Sequence, residues 1–190
     1  GGGNQPPVTL FMDGFVDGVA KYNEVHGTAV VALGWDKATQ DGVFTGDFED
    51  INKGLTTAQA FIDQGADVIL PVAGQVGEGA ARAALDSGTA SIIWVDSDGY
   101  DTLSPDFRPV LLTSVLKNTG SAVVEIVKTS IDDTFDNAPF IGTLENGGVG
   151  IAPFHDLAPR VSAELSAEID QLRSDIVAGT IVVTSPSTPR

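Results

Sequence analysis

The sequence predicts an α/β fold, a mostly parallel sheet with helices on both faces and an antiparallel hairpin at one edge. Three observations carry this prediction. Short apolar runs of strand length alternate with stretches of helical period. The runs are continuous rather than alternating in polarity, which marks strands buried on both faces. An Asn-Gly pair between two late apolar runs is the signal of a tight hairpin turn.

Strands are expected at Ala29–Leu33, Asp67–Val72, Ser91–Val95, Val110–Thr113 and Phe140–Leu144. Between them, Asp13–Glu24 places Phe15, Val16, Val19 and Tyr22 on one helical face, and Ile51–Gln64 does the same with Leu55, Ala58, Phe61 and Ile62. Gly79–Asp86 is an alanine-rich helix, and Ser114–Asp132 carries Val115, Val123, Ile126, Val127 and Ile131. A last helix, Ser162–Ala178, begins near Pro159 and ends at Gly179. Glu145-Asn146-Gly147-Gly148 is expected to turn Phe140–Leu144 back into Val149–Ala152, and residues 184–190 form a loose tail.

The chain of 190 residues is 42% hydrophobic and carries 10 basic against 26 acidic side chains, a net charge of −16. That composition is ample for a core. Its charge argues against nucleic acid and anionic membrane surfaces as partners and fits a neutral or cationic small molecule. With no cysteine, thiolate chemistry, disulfides and cysteine-ligated zinc are excluded. No cofactor or metal is implied. The two histidines, His26 and His155, read as turn residues, and neither a G-x-S-x-G elbow nor H-E-x-x-H occurs. An enzyme is not indicated.

In an open parallel sheet, ligands bind beyond the carboxyl ends of the strands. Four features converge there. "SIIWVDSDGY" (91–100) runs a core strand into Asp96 and Asp98 with Gly99 directly behind. "AGQVGEG" (73–79) follows the strand ending at Val72, "TSVLK" (113–117) follows Leu112, and "GWDK" (34–37) leads into a polar loop through Phe48.

An ionised carboxylate only accepts hydrogen bonds, and its two oxygens suit the two hydroxyls of a sugar diol. Asp96, the first residue past the strand, has the more fixed direction; Asp98-Gly99 also reads as turn chemistry. The glycine loop, with Gly74 and Gly77, either bares backbone N–H groups to neutral oxygens or lets helix and strand approach closely. Lys117 is read one turn into a helix beginning near Ser114, either as a solvated lysine or as the counter-charge to the aspartates. Trp35 and Phe48 are each a stacking platform for a flat ring or a lid over the core.

In order along the chain, "GFVDGVAKYNE" (14–24), "GDFEDINKG" (46–54), "GADVILPVAGQVGEGA" (65–80), "IIWVDSDGY" (92–100), "LTSVLK" (112–117) and "LENGGVGIAPFHD" (144–156) resemble the basic membrane protein family. These are nucleoside-binding lipoproteins that serve ABC importers as substrate-binding components, with the type I periplasmic-binding-protein fold.

The resemblance implies a two-lobed, non-enzymatic receptor that closes on a nucleoside, purines favoured. It implies that Asp96 and Lys117 contact the ribose, that Phe48 stacks on the base with Trp35 as the other candidate, and that Gly74 and Gly77 offer backbone contacts. It also implies an ABC permease as partner and an extracytoplasmic location, with an N-terminal lipid anchor outside this sequence.

The family's length implies that this sequence is the second lobe, with a first lobe of the same protein as a further partner. Residues 1–113 are then the second-lobe core, 114–138 a crossover helix packing on the first lobe, and 139–183 a return hairpin with the C-terminal helix. The face of Val123, Ile126 and Val127 is expected to be exposed in this chain, and its affinity alone to be weak. A nucleoside or sugar hydrolase on the same scaffold is the alternative in another class, and the sensing lobe of a transcription regulator is a third.

Overall fold

The computed structural model describes residues 1–189. A first helix, α1 (Pro6–His26), opens with proline at its first positions and closes at Gly27, whose φ is +64°. A two-stranded ribbon, β1 (Trp35–Asp36) with β2 (Asp41–Gly42), follows. The main elements are then α2 (Ile51–Ile62), β3 (Val68–Ile69), α3 (Val76–Ser87), β4 (Ser91–Asp96), the short α4 (Gly99–Thr102) and β5 (Leu111–Lys117). The chain continues with α5 (Thr119–Ile131), β6 (Val149–Ile151) and α6 (Ala163–Val177). The sheet order is β3-β4-β5-β6, with β3, β4 and β5 parallel and β6 antiparallel to β5.

The α/β expectation holds, and two apolar layers explain it. On one face Ile92 and Trp94 of β4 pack with Ala58 of α2 and the alanines of α3. On the other, Val95 and Val72 pack with Val8 and Met12 of α1 and with Trp35. Alternate residues of β4 thus enter opposite layers, as the period of two requires. Backbone meets backbone where α2 crosses α3. A Cβ on Gly54 would lie 1.8 Å from the Val76 carbonyl oxygen.

Four expectations need correction. The helix assigned to Ser114–Asp132 begins at Thr119, because Ser114–Lys117 are held in β5 by ladders to β4 on one side and β6 on the other. The crossover segment 114–138 therefore starts with four strand residues. Ala29–Leu33 is extended but joins no ladder among the described residues.

The Asn-Gly turn forms, with the Asn146 side chain accepting from the amides of Thr143 and Gly148. Its first arm, 140–144, is not a strand, however, and β6 takes β5 as its antiparallel partner instead. Of the expected loose tail, residues 184–187 are anchored, and Arg190 lies outside the described residues. Ser185 donates to Asp13 and Ser187 shares a 2.6 Å hydrogen bond with Thr9, while Lys37 donates to the Thr184 carbonyl at 2.6 Å.

Asp13 is fully buried and is the hub of that anchor, receiving the Trp35 indole N–H at 2.8 Å and the Gln40 amide at 2.9 Å. Burial by itself pushes its pKa up. The hydrogen bonds from Ser185, Trp35 and Gln40, with the charge of Lys37, outweigh that and hold it below the ordinary carboxylate value.

At the other end of the chain, burial pushes the Gly1 α-amino group down from 8.0 to about 6. Above pH 8 this amine is neutral both folded and unfolded and carries no penalty. As pH falls toward 6, the unfolded chain gains a proton that the folded chain does not, and stability drops by on the order of 2 kcal/mol. Urea melts are expected to show this loss between pH 8 and 6 for the free amine and not for the Nα-acetylated chain.

Candidate functional site

The carboxyl ends of β4 and β5 lie side by side, with Asp96 opposite Leu116 in the parallel register. Asp96 has φ +71°, and the Ser97 amide bonds back over it to the Val95 carbonyl at 2.9 Å, a γ-turn. Such a turn at a residue with a side chain is strained by on the order of 1 kcal/mol and re-aims the carboxylate as the strand ends. One of its oxygens lies 2.9 Å from Lys117 Nζ, itself 4.6 Å above the Phe11 ring of α1. Asp96 is 56% exposed and Lys117 38%. A pair this open adds under about 1 kcal/mol to stability, so its geometry is better explained by what it presents than by what it holds together.

The T-S-x-x-K stretch divides by depth. Thr113 is buried and donates to the Ala152 carbonyl at 2.7 Å, tying β5 to the chain beyond β6. The buried Ser114 hydroxyl accepts the Gly99 amide at 3.0 Å, which fixes the loop behind Asp96. Lys117, last in β5, reaches the edge.

Gly99 and Gly77 are both required by Trp94. A Cβ at Gly99 would stand 2.8 Å from Trp94 Cγ, and one at Gly77 2.7 Å from its six-membered ring. Gly77 also spends its amide on the Gly74 carbonyl at 3.0 Å. The close approach of helix and strand therefore accounts for glycine at 77, and its amide is already taken within the turn. Gly74 differs. It has φ +56°, and its Cβ position lies 3.4 Å from the backbone oxygen of Phe48, so it borders the aromatic edge of the site.

Phe48 is 36% exposed, and its ring covers Gly2 and Gly3. The loop carrying it is braced by Asp47, which accepts from the amides of Glu49 and Asp50 and pairs with Lys53 of α2. These partners hold the Asp47 carboxyl at about 2, with the Lys53 hydrogen bond foremost. Trp35 is buried in the α1 layer, meets Phe44 edge-on and donates to Asp13, so it belongs to the core and not to a stacking surface.

Asp98 has a partner on each carboxylate oxygen. One oxygen caps α4 by accepting the Tyr100 amide, and the other lies 2.8 Å from His155 Nε2. His155 stacks on Tyr100 with ring centroids 4.1 Å apart, and Arg108 covers the same tyrosine ring. The turn reading of Asp98 is the one the structure bears out.

The structure thus brings Asp96 to Lys117 and Phe48 to Gly74, both at the carboxyl edge of the parallel strands. It assigns Gly77, Trp35 and Asp98 to packing and capping. Sequence reasoning missed Phe11, Gly2 and Gly3. The signal was Pro6-Pro7, which starts α1 a full two turns before Asp13 and brings Phe11 into the site. Among the described residues no cluster of acidic side chains and histidines is arranged to hold a metal ion, and no helix is long and apolar enough to cross a membrane.

Residues 1–187 match the family model "Bmp: ABC transporter substrate-binding protein PnrA-like". "Basic membrane protein A" of Borreliella burgdorferi is 32% identical over 146 residues, 75% of this chain and 41% of that protein. An uncharacterized lipoprotein of Pyrococcus abyssi is 29% identical over 149 residues, 76% of this chain and 34% of that protein. An ABC transporter solute-binding protein from Aeropyrum pernix K1 superposes with a TM-score of 0.77 at 24% identity, covering 96% of this chain and 55% of that one. The curated relatives are thus spanned over less than half their length, and the solved structure over about half. The chain belongs to the Bmp family of PnrA-like ABC transporter substrate-binding proteins.

Proposed function

We propose that this chain forms one wall of a site that binds an uncharged nucleoside, purines favoured, for uptake through an ABC permease. The family is one of substrate-binding proteins and not of enzymes. The observation that carries the reading is the Asp96–Lys117 pair, set on a strained turn where two parallel strands end. An acceptor-only carboxylate beside a three-proton donor matches vicinal ribose hydroxyls, which both give and receive hydrogen bonds. Phe48 offers a half-open ring for stacking on a flat base, and Gly74 keeps the adjoining backbone approachable. The acidic surface would repel phosphorylated ligands.

The second wall is a first lobe of the same protein. Val123, Val127 and Ile131 on α5 are 60%, 50% and 74% exposed, an apolar face suited to that contact. One wall cannot exclude water, so this chain alone binds nucleosides weakly. A lipid anchor on a longer protein would hold the receptor outside the cell beside its permease. A thermal-shift screen of nucleosides and free sugars against the two-lobed protein tests the reading. Purine nucleosides should raise the melting temperature most. A response confined to non-ribosyl solutes would refute nucleoside binding while leaving the family assignment intact.

A further inference from the structure

The loop that carries on from Asp96 has little to hold it from within. Helix α4 is four residues long, too short to be stable by itself. Its internal bonds include the Ser97–Thr102 hydroxyl pair at 3.1 Å and the Thr102 hydroxyl on the Asp98 carbonyl at 2.8 Å. Four hydrogen bonds among the described residues tie it to its neighbours. The Gly99 amide reaches Ser114, and Arg108 reaches the Tyr100 carbonyl at 3.3 Å. The other two come from one short 3-10 helix, His155–Arg160. His155 Nε2 lies 2.8 Å from Asp98, and Asp156 accepts the Tyr100 hydroxyl at 3.1 Å.

That short helix is itself fixed at both ends. Arg160 donates to the Ser91 hydroxyl at 2.9 Å, at the start of β4. The Ala152 amide, a few residues before His155, bonds to the Ser114 carbonyl at 2.9 Å. The helix thus straps β4 from its first residue to the loop beyond its last.

Two backbone outliers stand at the working end of this strap. Among the described residues other than glycine, Gln40, Asp96, Asp133 and His155 have positive φ. His155, at +41°, is bonded to the very loop that Asp96, at +71°, opens. Such a conformation persists only where the surroundings over-determine it. At His155 those surroundings are the Asp98 carboxylate and the Tyr100 ring, stacked 4.1 Å away. The His155 and Asp98 side chains are 23% and 20% exposed, far better shielded from water than Lys117 and Asp96. The shielded pair is therefore the firmer of the two. An ionised carboxylate only accepts, so the hydrogen between them sits on Nε2.

We propose that His155 is a positioning residue for Asp96: through Asp98 it fixes loop 97–102 and so the direction in which the strained strand end presents its carboxylate. An acceptor held in place before the ligand arrives need not be ordered by it, which is how the clamp contributes affinity. The effect on ligand binding rests on the ribose reading above, whereas the effect on the turn at Asp96 does not.

Two substitutions that differ by one methylene test this. His155→Asn tolerates a positive φ, but its amide stands where Nδ1 stood and falls short of Asp98. His155→Gln carries its amide to the place of Nε2 and restores a donor. In amide hydrogen exchange of this chain, His155→Asn should speed exchange at Ser97 and Gly99 by about tenfold, as loss of a hydrogen bond to a charged group requires. Exchange within α3 should not change. His155→Gln should bring Ser97 and Gly99 back to within about threefold of the unsubstituted chain. In the two-lobed protein, calorimetry should show the preference for adenosine over 2′,3′-dideoxyadenosine shrinking about tenfold with His155→Asn and recovering with His155→Gln. A general loosening of the fold would instead weaken both ligands alike.

Unaltered exchange at Ser97 in His155→Asn, or equal acceleration by both variants, overturns the proposal. An adenosine preference that His155→Asn leaves intact overturns it too. No preference in the unsubstituted protein refutes the ribose reading, and exchange at Ser97 then judges the clamp by itself. If His155→Asn does not fold, nitrogen NMR of the neutral imidazole in the unsubstituted chain decides. A hydrogen on Nε2 is expected, and a bare Nε2 overturns the proposal.

Discussion

Replacing Asp96 by alanine is expected to weaken adenosine binding to the two-lobed protein by about 100- to 1000-fold. Each hydrogen bond to an ionised carboxylate contributes about 1.5–3 kcal/mol, and the diol makes two; the stated loss takes values at the lower end of that range, because this carboxylate is half-exposed. The loss should fall on binding alone, because Asp96 is 56% exposed and its pairing with Lys117 adds little to folding. Alanine keeps the β-carbon and leaves the cost of the positive φ in place, so the melting temperature of the free protein should move by a degree or two at most. Isothermal calorimetry with parallel thermal melts checks both halves. A tenfold loss or less would mean that Asp96 is not the ribose acceptor.

The largest effect on stability is expected at Gly54. An added methyl 1.8 Å from the Val76 carbonyl oxygen has backbone and not a movable side chain in its way. α2 and α3 must part, and Gly54→Ala should cost at least about 3 kcal/mol. For a chain of this size that lowers the melting temperature by roughly 6–12 °C. Gly14 on α1 is the control, since nothing lies within 4 Å of its Cβ position. Gly14→Ala should stabilise by about 0.5–1 kcal/mol through helix propensity alone. Equal effects at the two sites would contradict the α2–α3 contact.

The parts of the fold that were legible in the sequence are those where one physical signal stood alone. β4 announced itself as a continuous apolar run ending in acid, and α6 as a periodic segment with Ser162 at its cap, which accepts the Leu165 amide at 3.1 Å. Val115-Leu116 satisfied both periods, and only the β6 ladder decides for strand. Segment 29–33 has strand composition, yet a ladder needs a neighbour within bonding distance, and composition does not supply one.

The site divides in the same way. The place of Asp96 at a strand end was legible because a continuous apolar run leads into it, whereas Lys117, read one turn into a helix, closes β5 instead. Gly77 and Trp35 were not legible, because their roles depend on distant partners, Trp94 and Asp13. The anchored tail rests on a similar long-range contact, Ser185 to Asp13 across 172 positions, which no local pattern announces.

The central claim, that Asp96 beside Lys117 grips the ribose diol, is tested most directly by calorimetry of the two-lobed protein with adenosine and with 2′,3′-dideoxyadenosine. The account predicts that the dideoxy compound binds at least about 100-fold more weakly, and that Asp96→Ala erases the difference between the two. Equal affinities for the two ligands in the unsubstituted protein would contradict it.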